Sequence, residues 1–275
     1  MQAVPVPDPS PSVLSKALLL LGAFGDRSTL GLSDLSRRSG IAKATVHRLA
    51  QELVDLNMLE RVEAGYQLGW RMYELGQLVP GPANLRHIAR PALMDLHSST
   101  RATVHLAVQH DLETVFLERL AGLRDTRIHT TVGTRVPIWF AASGKVFIAH
   151  STDEERLVAA LEDQGSTPRT GHSIRSARQL KAQMTAVRER RWSTESEETL
   201  EGYKSYAVPI TLGDPQHVVA AVSATLPLDR HDDQQVVRML WATAAHISRA
   251  LDAPAGGKPA KPDGPRAPGD QTFTP

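Results

Sequence analysis

Four cations, Arg37, Arg38, Lys43 and Arg48, fall between Leu35 and Gln51 with no acidic residue among them, although Met1 to Pro80 as a whole carries eight basic and eight acidic residues. Positive charge is therefore concentrated in one short stretch. Duplex phosphates attract such a cluster, and side chains near the N-terminus of a helix are the ones that reach base edges in the major groove. Ser39, Thr45 and His47 add short hydrogen-bonding groups there. Arg61, further on, is placed to reach the DNA backbone or the minor groove. The competing reading is a solvated charged face, the commoner fate of a charge run. It is disfavoured because several independent features coincide around the cluster.

Residues for covalent or metal chemistry are sparse. With no cysteine in the chain, thiolate nucleophiles, zinc-thiolate sites, iron-sulfur clusters and disulfides are excluded. No G-x-S-x-G elbow, H-E-x-x-H pair or full phosphate loop occurs; Ser143-Gly144-Lys145 lacks both the upstream glycine and the following hydroxyl residue. Among the eleven histidines, His105, His110, His129 and His172 are scattered without ligand spacing. Glu197 and Glu198 could act as an acid and base, but adjacent glutamates in a polar stretch read first as solvated. No catalytic residue, metal site or cofactor is predicted.

These groups need elements to carry them. Ser12 can cap a helix whose Val13, Leu14, Ala17, Leu18, Leu21 and Phe24 share one face, a core helix by pattern. Ser33 can cap a second, with Leu32 before it and Leu35 inside, ending at Gly40. A third helix, from about Lys43 to Asn57, buries Val46, Leu49, Ala50 and Leu53 and turns its polar, basic side outward. Two short strands, Met58 to Val62 and Tyr66 to Gly69, flank Glu63-Ala64-Gly65 with glycine where positive φ is expected. Together these make a winged helix-turn-helix. Pro80-Gly81-Pro82 marks the break to a larger second part.

There, Leu85, Ile88, Ala89, Ala92, Leu93 and Leu96 form a helical stripe interrupted by Pro91. Strands are predicted at Val104 to Val108, Val115 to Leu120, Ile128 to Val132, Tyr206 to Ile210 and Val218 to Leu226. Helices are predicted at Gly144 to His150, Glu154 to Leu161, Ala177 to Arg190 and Asp232 to Leu251. This mixture indicates an α+β domain with a mostly antiparallel sheet. Proline-rich ends, with four prolines in Met1 to Ser12 and six in Ala253 to Pro275, read as tails. No fixed-period repeat is visible, and a net charge of +1 over 275 residues favours no partner by itself. The longest apolar run, Ala17 to Phe24, is too short to span a bilayer, and no secretory signal precedes it, so a cytoplasmic chain is expected.

The stretch LSDLSRRSGIAKATVHRLAQELVDLNMLERVEAGYQLG resembles the DNA-binding domain of the IclR family of bacterial transcriptional regulators. The likeness continues through VGTRVPIWFAASGK, the E-S-E-E at Glu195 to Glu198, SYAVPI and VVAAVSATLPL, and so covers nearly all of Val13 to Asp252. Ala42 stands where the family usually has proline. The resemblance implies an N-terminal winged helix-turn-helix domain (13-79, with the start of a linker helix) and a GAF-like effector-binding and oligomerisation domain (80-252), between tails at 1-12 and 253-275. It also implies an effector pocket at the positions Ala142, Ser143, Gly144, Glu195, Ser205, Ser223 and Thr225, with Ser205 where the family often has cysteine. An opening helix at Ala142-Ser143-Gly144 supplies backbone donors for an anionic oxygen. Ser223 and Thr225 share a strand face, and Trp139 and Phe140 are candidates for the pocket wall.

The expected function is a ligand-responsive regulator, a repressor of a catabolic or metabolic operon, controlled by a small organic or aromatic acid. Its partners would be an operator duplex and a second copy or more of itself, as homodimer or homotetramer, with no membrane. The alternatives are a small-molecule sensor acting through protein partners and an enzyme using the Glu195 to Glu198 region.

Overall fold

The computed structural model describes residues 12–25, 27–79, 81–122, 127–163, 167–228 and 232–253. The tails expected at either end lie outside the described residues apart from Ser12 and Ala253. The chain divides into two compact units, Met1–Leu85 and Arg86–Pro275.

In the first unit, α1 (Val13–Gly22) is capped by Ser12, whose side chain accepts from Ser15 N at 3.0 Å. It is only half a core helix. Leu20, Leu21, Ala23 and Phe24 are buried, but Leu14 and Leu18, expected inside, are 70% and 62% exposed. Helical periodicity cannot choose a face where leucines run consecutively from Leu18 to Leu21. The second helix, α2 (Leu32–Ser39), starts two residues earlier than Ser33 capping would require; Gly31 is its cap, and Gly40 closes it in the left-handed region at φ 71°. α3 (Lys43–Asp55) buries Val46, Leu49, Ala50 and Leu53 as its spacing demands. β1 (Leu59–Val62) and β2 (Gly65–Leu68) form the antiparallel wing. Leu30 and Tyr66 exchange both backbone hydrogen bonds, tying the wing to the chain before α2. Gly65 is needed there: at φ 136° a Cβ would lie 2.4 Å from Leu30 O. α4 (Trp70–Gln77) has no buried residue.

The division into units falls within α5 (Pro82–Thr100), which runs unbroken through Pro91 where an interruption was expected. The second unit is built on a six-stranded sheet, with β3 (Thr103–His110), β4 (Glu113–Leu120), β5 (Arg135–Pro137), β6 (Ser193–Ser196), β7 (Tyr203–Leu212) and β8 (Asp214–Pro227) in the order β5-β4-β3-β8-β7-β6. Every described pairing is antiparallel. The predicted strand at Ile128 to Val132 is absent from the described ladders, and the short polar β6 replaces it as an edge. α6 (Ala142–His150) is buried on all sides through Ala149. α7 (Glu154–Asp163) and α8 (Ala177–Arg190) cover α6, while α9 (Asp233–Asp252) packs against β7 and β8. Small residues Ala107, Ala207 and Ala221 form the sheet floor that lets α6 approach closely.

Candidate functional site

In the first unit, the buried seam of α3 leaves Lys43, His47 and Arg48 exposed and Thr45 half-buried on the outer side. No side chain caps the α3 N-terminus at Ala42, so its first N–H groups remain a positive end beside Lys43. Arg37 and Arg38 are exposed on α2 and Arg61 on the wing. Arg37 pairs with Asp34 at 2.5 Å and Arg48 with Glu52 at 2.9 Å. Both pairs are solvent-exposed, where such contacts contribute about 0 to 1 kcal/mol and exchange readily for a phosphate. Ser39 faces inward: its hydroxyl donates to Leu35 O and accepts from Ile41 N, which builds the turn.

In the second unit, the sheet register assembles a polar patch that is scattered in sequence. Thr103, Thr225, Ser205 and Glu195 lie opposite one another across β3, β8, β7 and β6. The neighbouring row is His105, Ser223, Ala207 and Ser193. Alternation along each strand puts both rows on one sheet face. Beside them lies a cavity of about 250 Å³, lined by Ala142, Ser143, Glu195, Ser205, Ser223 and Thr225 with Phe116, Val136 and Leu200 among its apolar walls. Exposed Arg127, His129 and Arg169 also line it, and the two arginines bring positive charge.

Glu195 is buried and fully engaged. One oxygen accepts from the backbone N–H of Glu198 (3.0 Å) and Thr199 (3.3 Å), the other from the hydroxyls of Ser205 (2.5 Å) and Thr199 (3.1 Å). Burial pushes its carboxyl up, against the Ser205 hydrogen bond and the Lys145 charge, which hold it down. Burial is the largest of these influences, and the net direction is upward. Behind this wall Lys145, wholly buried on α6, donates to Glu198 Oε1 at 2.6 Å, and Gln183 of α8 donates to the same oxygen at 3.2 Å. Burial pushes the Lys145 ammonium down, opposed by the Glu198 carboxylate.

Several expectations change. Glu198 is buried and paired rather than solvated, because the chain after β6 folds inward; Ser173 Oγ donates to its own carbonyl and Thr170 Oγ1 to that of Glu197. Gly144 does not line the cavity: it is the point where α6 presses on Ile138 O. Trp139 and Phe140 belong to the core and not to the wall. Ser205 lies inside β7 rather than before a strand. His105, Arg127, His129, Thr130, Arg169 and Thr199 line the cavity without having been singled out for it. Their approach depends on strand pairing, which local pattern does not encode. Lys145 does not line the cavity, so its pair with Glu198 offers no accessible acid or base. Among the described residues no group of three potential ligands could hold a metal ion.

His105 is buried against Phe116 with ring centroids 4.4 Å apart, and its Nε2 lies 2.8 Å from Thr130 Oγ1. Burial, aided by the Arg119 charge, lowers its pKa to about 3. The folded state then binds fewer protons than the unfolded chain, where histidine titrates near 6.5. Stability is complete above that value and is lost as pH falls towards 3. Urea unfolding at pH 7.5 and pH 5 should differ by about 2 kcal/mol from this residue. His105→Phe should flatten the pH dependence by that amount, and an unchanged dependence in the variant would contradict the assignment.

A model of the IclR helix-turn-helix domain matches residues 13–63, and one of the bacterial transcriptional regulator IclR C-terminal domain matches residues 79–249. The chain is similar to the HTH-type transcriptional regulator XynR of Escherichia coli strain K12, 31% identical over 248 residues that cover 88% of this chain and 98% of that one. It is similar to the HTH-type transcriptional regulator KdgR of Dickeya chrysanthemi, 29% identical over 247 residues, with 88% and 80% covered. A crystal structure of an IclR homolog from Microbacterium hydrocarbonoxydans complexed with 4-hydroxybenzoate superposes with a TM-score of 0.76 at 27% identity, covering 88% of this chain and 100% of that one. These relatives are regulators rather than enzymes, and among the described residues no helix is long and apolar enough to cross a membrane. With both domain models matched in order, and a helix-turn-helix unit followed in the sequence by a cavity-bearing α+β unit, the chain belongs to the IclR family of bacterial transcriptional regulators.

Proposed function

We propose that this chain is a cytoplasmic repressor of a catabolic or metabolic operon, released or tightened on its operator by a small organic acid. Residues 13-79 bind the operator, and residues 80-252 bind the effector and a second copy of the chain. The observation that carries the reading is the outer face of α3, where Lys43, His47 and Arg48 stand exposed above a fully buried seam. α3 enters the major groove with Thr45 and His47 near the bases. Lys43, Arg48, Arg37 and Arg38 hold phosphates, and Arg61 of the wing reaches the backbone or the minor groove. A homodimer is supported by apolar surface left uncovered on α1 and α4, including Leu14, Leu18, Trp70 and Tyr73; two such dimers make a homotetramer. The effector occupies the cavity at Ala142, Ser143, Glu195, Ser205, Ser223 and Thr225. Gly144 sets the position of the helix start. A volume of about 250 Å³ suits a compact ligand, and the 4-hydroxybenzoate complex of a relative supports an aromatic acid.

The test is operator binding against salt for Lys43→Ala and Arg48→Ala. Each lost phosphate contact should make the slope of log affinity against log salt shallower by about 1 and weaken binding to all sequences alike. Two variants that bind with unchanged affinity and slope would remove α3 from the DNA interface.

A further inference from the structure

A second cavity, of about 310 Å³, lies in the same unit where the ends of α6, α8 and α9 meet β7 and β8, and it shares no lining residue with the first. Arg191, just past α8, and Arg249, in the last turn of α9, both line it. None of the described residues that line it is acidic. Its apolar lining includes Trp241 and Ala245 of α9 with Pro209 and Pro215. Ser248, another lining residue, accepts from Thr211 N at 3.0 Å, a bond that fixes its hydroxyl and uses a lone pair rather than its proton.

Basic residues near helix C-termini often do no more than face the negative end of the helix. That does not account for Arg191. The last turn of α8 already holds Arg188 and Arg190. Arg188 pairs with Glu154, and Arg190 lies over the Trp192 ring at 4.1 Å, so each is used within the fold. Arg191 follows them at φ 67°, in the left-handed region where glycine would close the helix without strain. A long cation kept in that backbone position, beside a cavity, points to a use for its side chain.

We infer that this second cavity binds a phosphate monoester, its phosphoryl oxygens held by Arg191 and Arg249 with Ser248 donating, and its organic part lying against Trp241. A carboxylate has two oxygens, and a single guanidinium fork satisfies both. A phosphate monoester offers three terminal oxygens and a charge of about −1.5 to −2 at neutral pH, which matches two guanidiniums arriving from different helices. The cavity is larger than a phosphate group alone, and an indole with two proline rings suits a flat or ring-shaped body. The assignment is independent of the ligand proposed for the first cavity.

Calorimetric titration of the full-length protein with phenyl phosphate, inorganic phosphate and benzoate tests this, in about 0.15 M salt so that diffuse surface attraction is screened. Phenyl phosphate should bind about fivefold or more tightly than either of the other two. Arg249→Gln should weaken it about tenfold. Arg191→Gly should weaken it by a similar factor while leaving the thermal midpoint unchanged or higher, since glycine relieves the backbone strain; an arginine with a purely structural role would not separate the two readouts. Trp241→Leu should remove most of the advantage of phenyl phosphate over inorganic phosphate. The double variant Arg127→Gln/Arg169→Gln, in the first cavity, should leave phenyl phosphate binding within about twofold of wild type. No binding of phenyl phosphate, binding unmoved by both Arg191→Gly and Arg249→Gln, or binding lost instead in Arg127→Gln/Arg169→Gln would overturn the site. Benzoate bound as tightly as phenyl phosphate, with the same dependence on Arg191 and Arg249, would overturn the phosphate assignment.

Discussion

Replacing Lys145 by methionine should destabilise the second unit by about 3 to 5 kcal/mol, because the change leaves a buried carboxylate without its cation. Glu198 has little to fall back on. Its Oε1 would keep only the Gln183 amide, and its Oε2 already lacks a hydrogen-bond partner among the described residues. Glu198→Leu alone strands the Lys145 ammonium in the same way and should cost a similar amount. The double variant Lys145→Met/Glu198→Leu should recover most of the loss, since two apolar groups of comparable volume remove both desolvation penalties together. Urea unfolding followed by tryptophan fluorescence reads this unit well: three of the four tryptophans, Trp139, Trp192 and Trp241, lie within it. A single variant within 1 kcal/mol of wild type, or a double variant as unstable as the sum of the singles, would show that the pair does not couple α6 to the segment after β6.

Gly144→Ala should lower stability even though alanine is by far the better helix former. Propensity alone predicts a gain of up to about 1 kcal/mol for alanine over glycine in a helix. Against it, a Cβ at Gly144 would lie 1.9 Å from Ile138 O, with Ile138 C and Thr114 Oγ1 each at 2.7 Å. Two of those atoms are backbone and cannot swing aside. Overpacking of this kind costs about 1 to 3 kcal/mol and sometimes more, so the net change should be a loss, with α6 displaced from Ile138. Ala142 and Ser143 would move with it, and ligand binding in the cavity should weaken beyond the loss of stability. Gly76 in α4 is the control. It is also helical, but nothing stands within 4 Å of a Cβ there, so Gly76→Ala should raise the thermal midpoint. If Gly144→Ala were as stabilising as Gly76→Ala, the close approach of α6 to the chain at Ile138 would not be real.

The contrast between these glycines shows where local reading stops. Both look alike in a helical stretch, and only what lies across the space separates them. The same boundary runs through the effector site. Ser223 and Thr225 are two apart on one strand, and that relation is visible in the sequence. Their alignment with Ser205, Glu195 and His105 comes from four strands pairing in one register, and residues about a hundred positions apart meet only after the sheet has formed. Glu198 is legible as an acid but not as a buried one, because its cation stands 53 residues away on α6. The run at Ile128 to Val132 has strand composition, yet with no partner ladder it serves as cavity lining instead.

The winged helix-turn-helix and the exposed basic side of α3 follow from local sequence. The spacing of Val46, Leu49, Ala50 and Leu53 orients that helix and Gly40 closes the turn before it, and these act within a few residues of where they stand. Folding alone fixed which leucines of α1 are buried, that Gly144 stands against Ile138 O, and that Glu195 is buried against the hydroxyls of Ser205 and Thr199. The physical reason is the range of the forces involved. Helical period and turn chemistry are settled by near neighbours, whereas strand register, desolvation and buried charge pairing depend on groups that the chain brings together only on folding.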